Sequence, residues 1–183
     1  MDQKHSLAIC AAALACATLA AGRAAADVLS VAGNGFEVRE TAHSTAPSDQ
    51  VYAALLQPAR WWSSDHTFSR SAANLTLDAR AGGCWCETLP NGGSVEHLRV
   101  VYVAPGKTLR LRGALGPLQG LAVEGAMTWS IQSVPGGTDI SLSYVAGGYA
   151  KDGFDEMSKA VDRVLGEQTL RLKKLVDGEP APH

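Results

Sequence analysis

The chain has 183 residues, 46% of them apolar and 19% charged, with 16 Lys and Arg against 18 Asp and Glu, and four cysteines. This composition excludes a disordered chain, a collagen-like repeat and a disulfide-dense mini-protein. A net charge of −2 lacks the basic excess that neutralises a phosphate backbone, so nucleic acid is not an expected partner.

The first feature along the chain is a leader. Lys4 and His5 precede a largely apolar run over 7–21, and Ala24 and Ala26 supply an Ala-x-Ala ending before Asp27. This is the pattern of a cleavable secretory signal peptide, 1–26, and the run is shorter than the roughly 20 residues a bilayer span needs. Arg23 stands where a neutral residue is usual, and Cys10 and Cys16 sit behind poor matches to a lipobox. The expected location is therefore periplasmic or secreted, with no transmembrane segment after cleavage. Removing 26 of 183 residues leaves 157, with a net charge of −3 and two cysteines, Cys84 and Cys86. A chain of that size buries roughly 70% of its unfolded surface.

Residues 27–34 read as a flexible segment. Phe36 to Ala42 then alternates with period two, as a half-buried strand does. Pro47-Ser48-Asp49 opens a helix over 50–57, with Pro where its missing N–H costs little. Pro58 to Trp62 adds a second short helix before a polar loop. Strands follow at 75–79, 83–89, 94–103, 108–112, 123–134 and 138–145, separated by turn signals of which Asn91-Gly92 is the strongest. Short turns make such strands antiparallel. From Phe154 the period changes: Met157, Val161, Val164, Leu165, Leu172 and Leu175 recur at three- and four-residue steps, predicting one amphipathic helix over 153–176. Gly178 and Pro180 stop it, and 178–183 reads as a disordered tail. The expected fold is α+β: a curved antiparallel sheet wrapped around a long C-terminal helix, with two short helices after the first strand. It forms one domain, 35–177, and the space between sheet and helix is a natural ligand cavity.

This order of elements, with Trp61-Trp62, Gly82-Gly83-Cys84-Trp85, Gly92-Gly93 and Ala104-Pro105-Gly106-Lys107-Thr108-Leu109, resembles the SRPBCC (START-like) superfamily with its helix-grip fold. It looks most like the branch named after the C-terminal domain of the Hsp90 ATPase activator, whose members are often labelled polyketide cyclase. The resemblance implies a cavity for an apolar or amphipathic small molecule. It does not choose between lipid carrier, cyclase, hydrolase and interaction module. ATP is not an expected ligand, because the glycine a phosphate loop needs before Gly106-Lys107-Thr108 is Val101 and a strand follows. No cofactor is expected.

Trp62, His66, Trp85, Trp129 and Tyr144 are the candidate cavity residues. The glycine-rich stretch 113–121, with Leu115, Pro117, Leu118 and Leu121, reads either as packed connection or as a lid or partner contact. A hairpin closed tightly at Asn91-Gly92 pairs Leu89 with Ser94, hence Glu87 with Glu96, Cys86 with His97, Trp85 with Leu98 and Cys84 with Arg99. Cys84, Cys86 and His97 then share one face, with His66 as a possible fourth group, which invites a metal reading. Cys-x-Cys is less specific than Cys-x-x-Cys, however, and small buried fillers or an i,i+2 disulfide are the simpler alternatives, so no metal is expected. Glu87 and Glu96 would face each other, raising the pKa of one if buried. Glu87 and His97 are the catalytic candidates, with Tyr144 as a helper.

Overall fold

Inner and outer faces of the sheet are set by alternation. Phe36, Val38 and Ala42 are buried while Arg39, Thr41 and His43 are exposed, so the strand there has one core face. A computed structural model of the chain, describing residues 25–180, carries this pattern through β1 (Ala25–Ala32), β2 (Gly35–Ser44), α1 (Ser48–Leu55), β3 (Leu75–Leu77), β4 (Cys84–Thr88), β5 (Ser94–Ala104), β6 (Thr108–Arg112), β7 (Ala122–Val134), β8 (Gly137–Tyr149) and α2 (Asp155–Asp177). The strands make one antiparallel sheet in the order β1-β2-β8-β7-β6-β5-β4-β3.

Residues 1–24, most of the expected leader 1–26, lie outside the described residues, and among the described residues no helix is long and apolar enough to cross a membrane. The stretch 27–34, expected to be flexible, instead forms most of β1 and the turn into β2. Cleavage after Ala26 would remove only the first two residues of β1. The second short helix is a single 3₁₀ turn, Pro58–Arg60, followed by two more at Ser64–His66 and Ala72–Asn74. Gly106-Lys107-Thr108 lies in the turn into β6, closed by the Lys107 N–H on the Ala104 carbonyl at 3.0 Å.

α2 lies on β1 and β2 and reaches the edge of β8, whereas α1 packs on β7, β8 and α2. The charges at its ends suit the helix dipole, with Asp155 and Glu156 in the first turn and Lys174 in the last. Gly178, at φ +71°, caps it in the left-handed conformation, and the Glu179 N–H reaches the Lys174 carbonyl at 2.8 Å. The stretch expected to be disordered from 178 thus begins as an ordered cap.

One carboxylate ties that helix end to the sheet. Asp177 accepts hydrogen bonds from the Ser44 hydroxyl, the Thr45 N–H at 3.0 Å and the Thr45 hydroxyl at 3.3 Å, and pairs with Lys173 at 2.7 Å. Burial would raise its pKa, but Lys173, Ser44 and Thr45 outweigh burial and hold it below the usual aspartate value. A carboxyl depressed in the folded state contributes stability above its unfolded pKa and loses it as pH falls. Asp177→Asn is expected to cost about 1.5–3 kcal/mol at neutral pH and to flatten the decline in stability below about pH 4. Denaturant unfolding of both proteins across that range measures it.

Candidate functional site

The tight hairpin register fails by one residue, and the site follows from the failure. Asn91 and Gly92 take the expected positive φ of 58° and 80°, but the loop closes as Thr88 with Ser94, so Cys86 lies opposite Glu96 and Glu87 opposite Val95. A one-residue slip would leave the rest of the ladder out of phase. It is absorbed by a β-bulge between Trp85 and Cys86, where β5 spends one extra residue, His97, and the expected pairs Trp85–Leu98 and Cys84–Arg99 return. His97 and Leu98 are therefore both buried, although adjacent.

This corrects two expectations. His97 does not share a face with Cys84 and Cys86, and Glu96 does not oppose Glu87. The two cysteines are joined in a disulfide on the outer face, where Glu96 pairs with Arg99. On the inner face, Glu87, 1% exposed, meets His97, 7% exposed, with Nε2 of His97 2.9 Å from Oε2 of Glu87. The Phe68 N–H donates to Oε2 at 3.1 Å and the Ser69 N–H donates to Oε1.

These contacts fix the charges. Burial would raise the Glu87 pKa, but hydrogen bonds from Ser69, Phe68 and His97 outweigh it and hold the carboxyl below its ordinary value. Burial drives the His97 pKa down, and the hydrogen bond and charge of Glu87 oppose this only in part. At neutral pH the pair is a carboxylate and a neutral imidazole. A carboxylate only accepts, so Nε2 carries the hydrogen and Nδ1 is left as an acceptor.

His97 borders a cavity of about 10 Å³ together with Trp62, Leu75, Trp85 and Leu115, room for roughly one water molecule. Above it Phe68, 52% exposed, tilts over the imidazole with ring centroids 5.9 Å apart. Trp62 and Trp85 meet edge to face at 4.9 Å, and Trp61 packs edge-on against Trp62, Trp85 and Trp129. The Trp61 and Trp62 N–H groups donate to the carbonyls of Ala54 and His66. The buried N–H of Trp85 finds no partner among the described residues.

The remaining candidates lie elsewhere. His66 sits on the Ser64–His66 turn and pairs with Glu167 on α2 at 3.2 Å, fixing the carbonyl that holds Trp62. Trp129 is core. Tyr144 lies over Gly125, where any Cβ would come within 2.5 Å of its ring, and its hydroxyl donates to the Gly113 carbonyl at 3.0 Å. Burial pushes its pKa up to about 12, so it holds the start of 113–121 and supplies no proton near neutrality. Within that stretch Leu115 reaches the cavity, Leu118 is buried, and Pro117 and Leu121 are exposed. Phe68, Ser69 and Leu75 were missed by sequence reasoning. The first two act through backbone N–H groups, which no residue type announces.

The sequence profile described as polyketide cyclase / dehydrase and lipid transport matches residues 35–177, from the start of β2 to the end of α2. The chain belongs to this polyketide cyclase and lipid-transport family. No curated protein matches it in sequence. Among solved structures it is similar to protein CV1439 from Chromobacterium violaceum (21% identity, 77% of this chain and 96% of that one, TM-score 0.54). CalU16 from Micromonospora echinospora is similar at 17% identity over 88% of each chain, TM-score 0.57. The Aha1 dimer from Colwellia psychrerythraea follows at 17%, covering 77% and 96%, TM-score 0.51. These likenesses establish the helix-grip, START-like fold of the family.

A histidine whose folded pKa is depressed contributes stability above its unfolded pKa and loses it as pH falls through that value. The wild-type protein is expected to lose stability as pH falls below about 6.5. His97→Gln should remove that dependence, as read by denaturant midpoints from pH 8 to 5; an identical slope in both proteins would refute the neutral, buried assignment.

Proposed function

We propose that the protein is exported and binds an apolar or amphipathic small molecule at the Trp62–Trp85 wall, with the polar end of the ligand against His97. The observation that carries this is a buried imidazole that turns Nε2 to Glu87 and leaves Nδ1 as an acceptor, beside a buried Trp85 N–H without a partner among the described residues, in an otherwise apolar wall. A wall needing one donor and one acceptor from outside the protein suits a ligand with a small polar head. Membership of a family described by cyclase, dehydrase and lipid transport supports the ligand class. The leader supports export, and a disulfide is the form cysteines take in an oxidising compartment.

Ligand sites of ordinary size need some 300 Å³ or more, so a space of about 10 Å³ must open. The cover is 113–121. Its ties are the Gly113 N–H on the Gly125 carbonyl at 3.0 Å, the Tyr144 hydroxyl on the Gly113 carbonyl, the Gln119 amide on the Glu96 carbonyl at 2.9 Å and the buried Leu118. Outward movement of Leu115 enlarges the space without disturbing the sheet.

A second reading, acid–base catalysis of the cyclase or hydrolase type, is favoured by the same pair, because a carboxylate orienting a neutral imidazole is a general-base arrangement. Tyr144 drops out of that reading, its hydroxyl being engaged and its pKa too high. Loss of turnover in both Glu87→Gln and His97→Gln, with ligand binding retained, would select it over simple carriage.

Native mass spectrometry of protein purified from its own cell envelope should find a mature chain starting at Asp27 and a retained amphipathic molecule. Titration of tryptophan fluorescence with a medium-chain fatty acid then tests the cover. Tyr144→Phe loses a hydrogen bond worth about 1 kcal/mol in the closed state, so binding should tighten up to roughly fivefold. Unchanged or weaker binding in that variant would refute a moving cover, and no binding to any chain length would refute the ligand class.

A further inference from the structure

The outer face of the same hairpin carries a constellation that ligand binding does not use. Cys84 and Cys86 are bonded with Cα atoms 5.4 Å apart, closer than the roughly 6.6 Å of two fully extended steps. In the ladder Cys84 lies opposite Arg99 and Cys86 opposite Glu96. Arg99 closes on Glu96 through Nε to Oε1 at 3.2 Å and through Nη2 to Oε2. The disulfide thus spans one residue of β4, Trp85, and the ion pair spans two residues of β5, His97 and Leu98. That two-against-one step is the bulge, and all three spanned residues are buried on the inner face.

Each strand has an outer clip across the step that turns His97 inward, and the clips differ in strength. The ion pair is about half exposed on both sides and of the kind that contributes little. The disulfide is covalent, and both cysteines are only partly buried, within reach of a thiol. We infer that Cys84–Cys86 is a thiol–disulfide exchange site whose reduction releases the bulge and lets His97 leave the cavity wall. The reductant is a small thiol or a protein dithiol. Its thiolate attacks Cys86 Sγ, the S–S bond breaks, and the electron pair leaves on Cys84 Sγ, opposite the Arg99 cation; attack at Cys84 would place that charge opposite Glu96. A second thiolate attacks the external sulfur of the mixed disulfide and frees Cys86. Two external thiols become one disulfide, and Cys84 and Cys86 take up their two protons.

A regular ladder would place His97 opposite Cys86, on the outer face, and Glu96 opposite Glu87. Two carboxylates in that position repel, so the reduced hairpin is expected to loosen over 96–98 instead of settling into the new register. The test is NMR of the whole mature protein with and without dithiothreitol, with thiols counted by mass spectrometry. On reduction the His97 ring protons should lose the displacement imposed by the Phe68 and Trp rings, and the imidazole should titrate closer to a free histidine. Amide exchange over 96–98 should quicken about tenfold or more, while far-ultraviolet circular dichroism is unchanged. Cys84→Ser/Cys86→Ser should show the same state without reductant. An unchanged His97 signal in fully reduced protein overturns the proposal. So does reduction that proceeds only with global unfolding, since the bond would then be a staple and not an exchange site.

Discussion

A helix is about 10 Å across and strands repeat every 4.8 Å or so, so one helix covers two or three strands. α2 therefore cannot close the inner face of an eight-stranded sheet, and in this chain it lies on β1, β2 and the edge of β8. Everything from β7 to β3 needs other cover. α1 supplies part of it. The turns that follow, with Trp61 and Trp62, supply much of the rest by meeting Trp85 and Trp129 edge to face. The volume that would hold a ligand and the volume that completes the core are thus the same. On the proposed reading capacity would come from moving cover, and the burden would fall on 113–121.

Much of this was legible from periodicity. The limits of β6 coincide with the expected strand, and α2 lies within two residues of its expected limits, because a period of 3.6 residues in the helix and of two in the strand leaves little choice. β1 was not legible. A register shift between Val28 and Ser30 breaks its alternation, and the strand begins inside the Ala-x-Ala ending of the expected leader. The candidate site was half legible: Glu87 and His97 stand out by type, yet tight-turn logic separates them onto opposite faces. What unites them is one residue of loop length at 89–93 and its compensation at His97, a difference that hydrophobic pattern does not encode.

Keeping Glu87 ionised in that place needs more than His97. Desolvating a carboxylate costs several kcal/mol, and hydrogen bonds to a charged group return about 1.5–3 kcal/mol each. The loop after Trp62 provides two consecutive backbone donors, Phe68 and Ser69, aimed at the two oxygens. Directly after them Arg70 adopts φ +56°, a left-handed conformation that costs a non-glycine residue on the order of 1 kcal/mol. That local cost is explained by the carboxylate it serves. With the donors in place the negative charge stays on Glu87, the proton stays on Nε2, and His97 presents its other nitrogen unprotonated. Loop conformation thus decides the protonation state of a side chain on the neighbouring strand.

The family's fold does not choose among its chemistries, so the choice rests on where polar groups break an apolar wall. In a regular β4–β5 ladder the two sulfurs and the imidazole would sit together, the arrangement in which a Cys-x-Cys strand beside a histidine suggests a metal. The bulge separates them across the thickness of the sheet: sulfur chemistry faces outward beside Arg99 and Glu96, while hydrogen-bond chemistry faces inward beside Glu87. One histidine cannot serve both faces. Its inward position removes the third ligand from the cysteines and gives the cavity its acceptor, so the same inserted residue argues against a metal centre and for a polar anchor in the proposed ligand site.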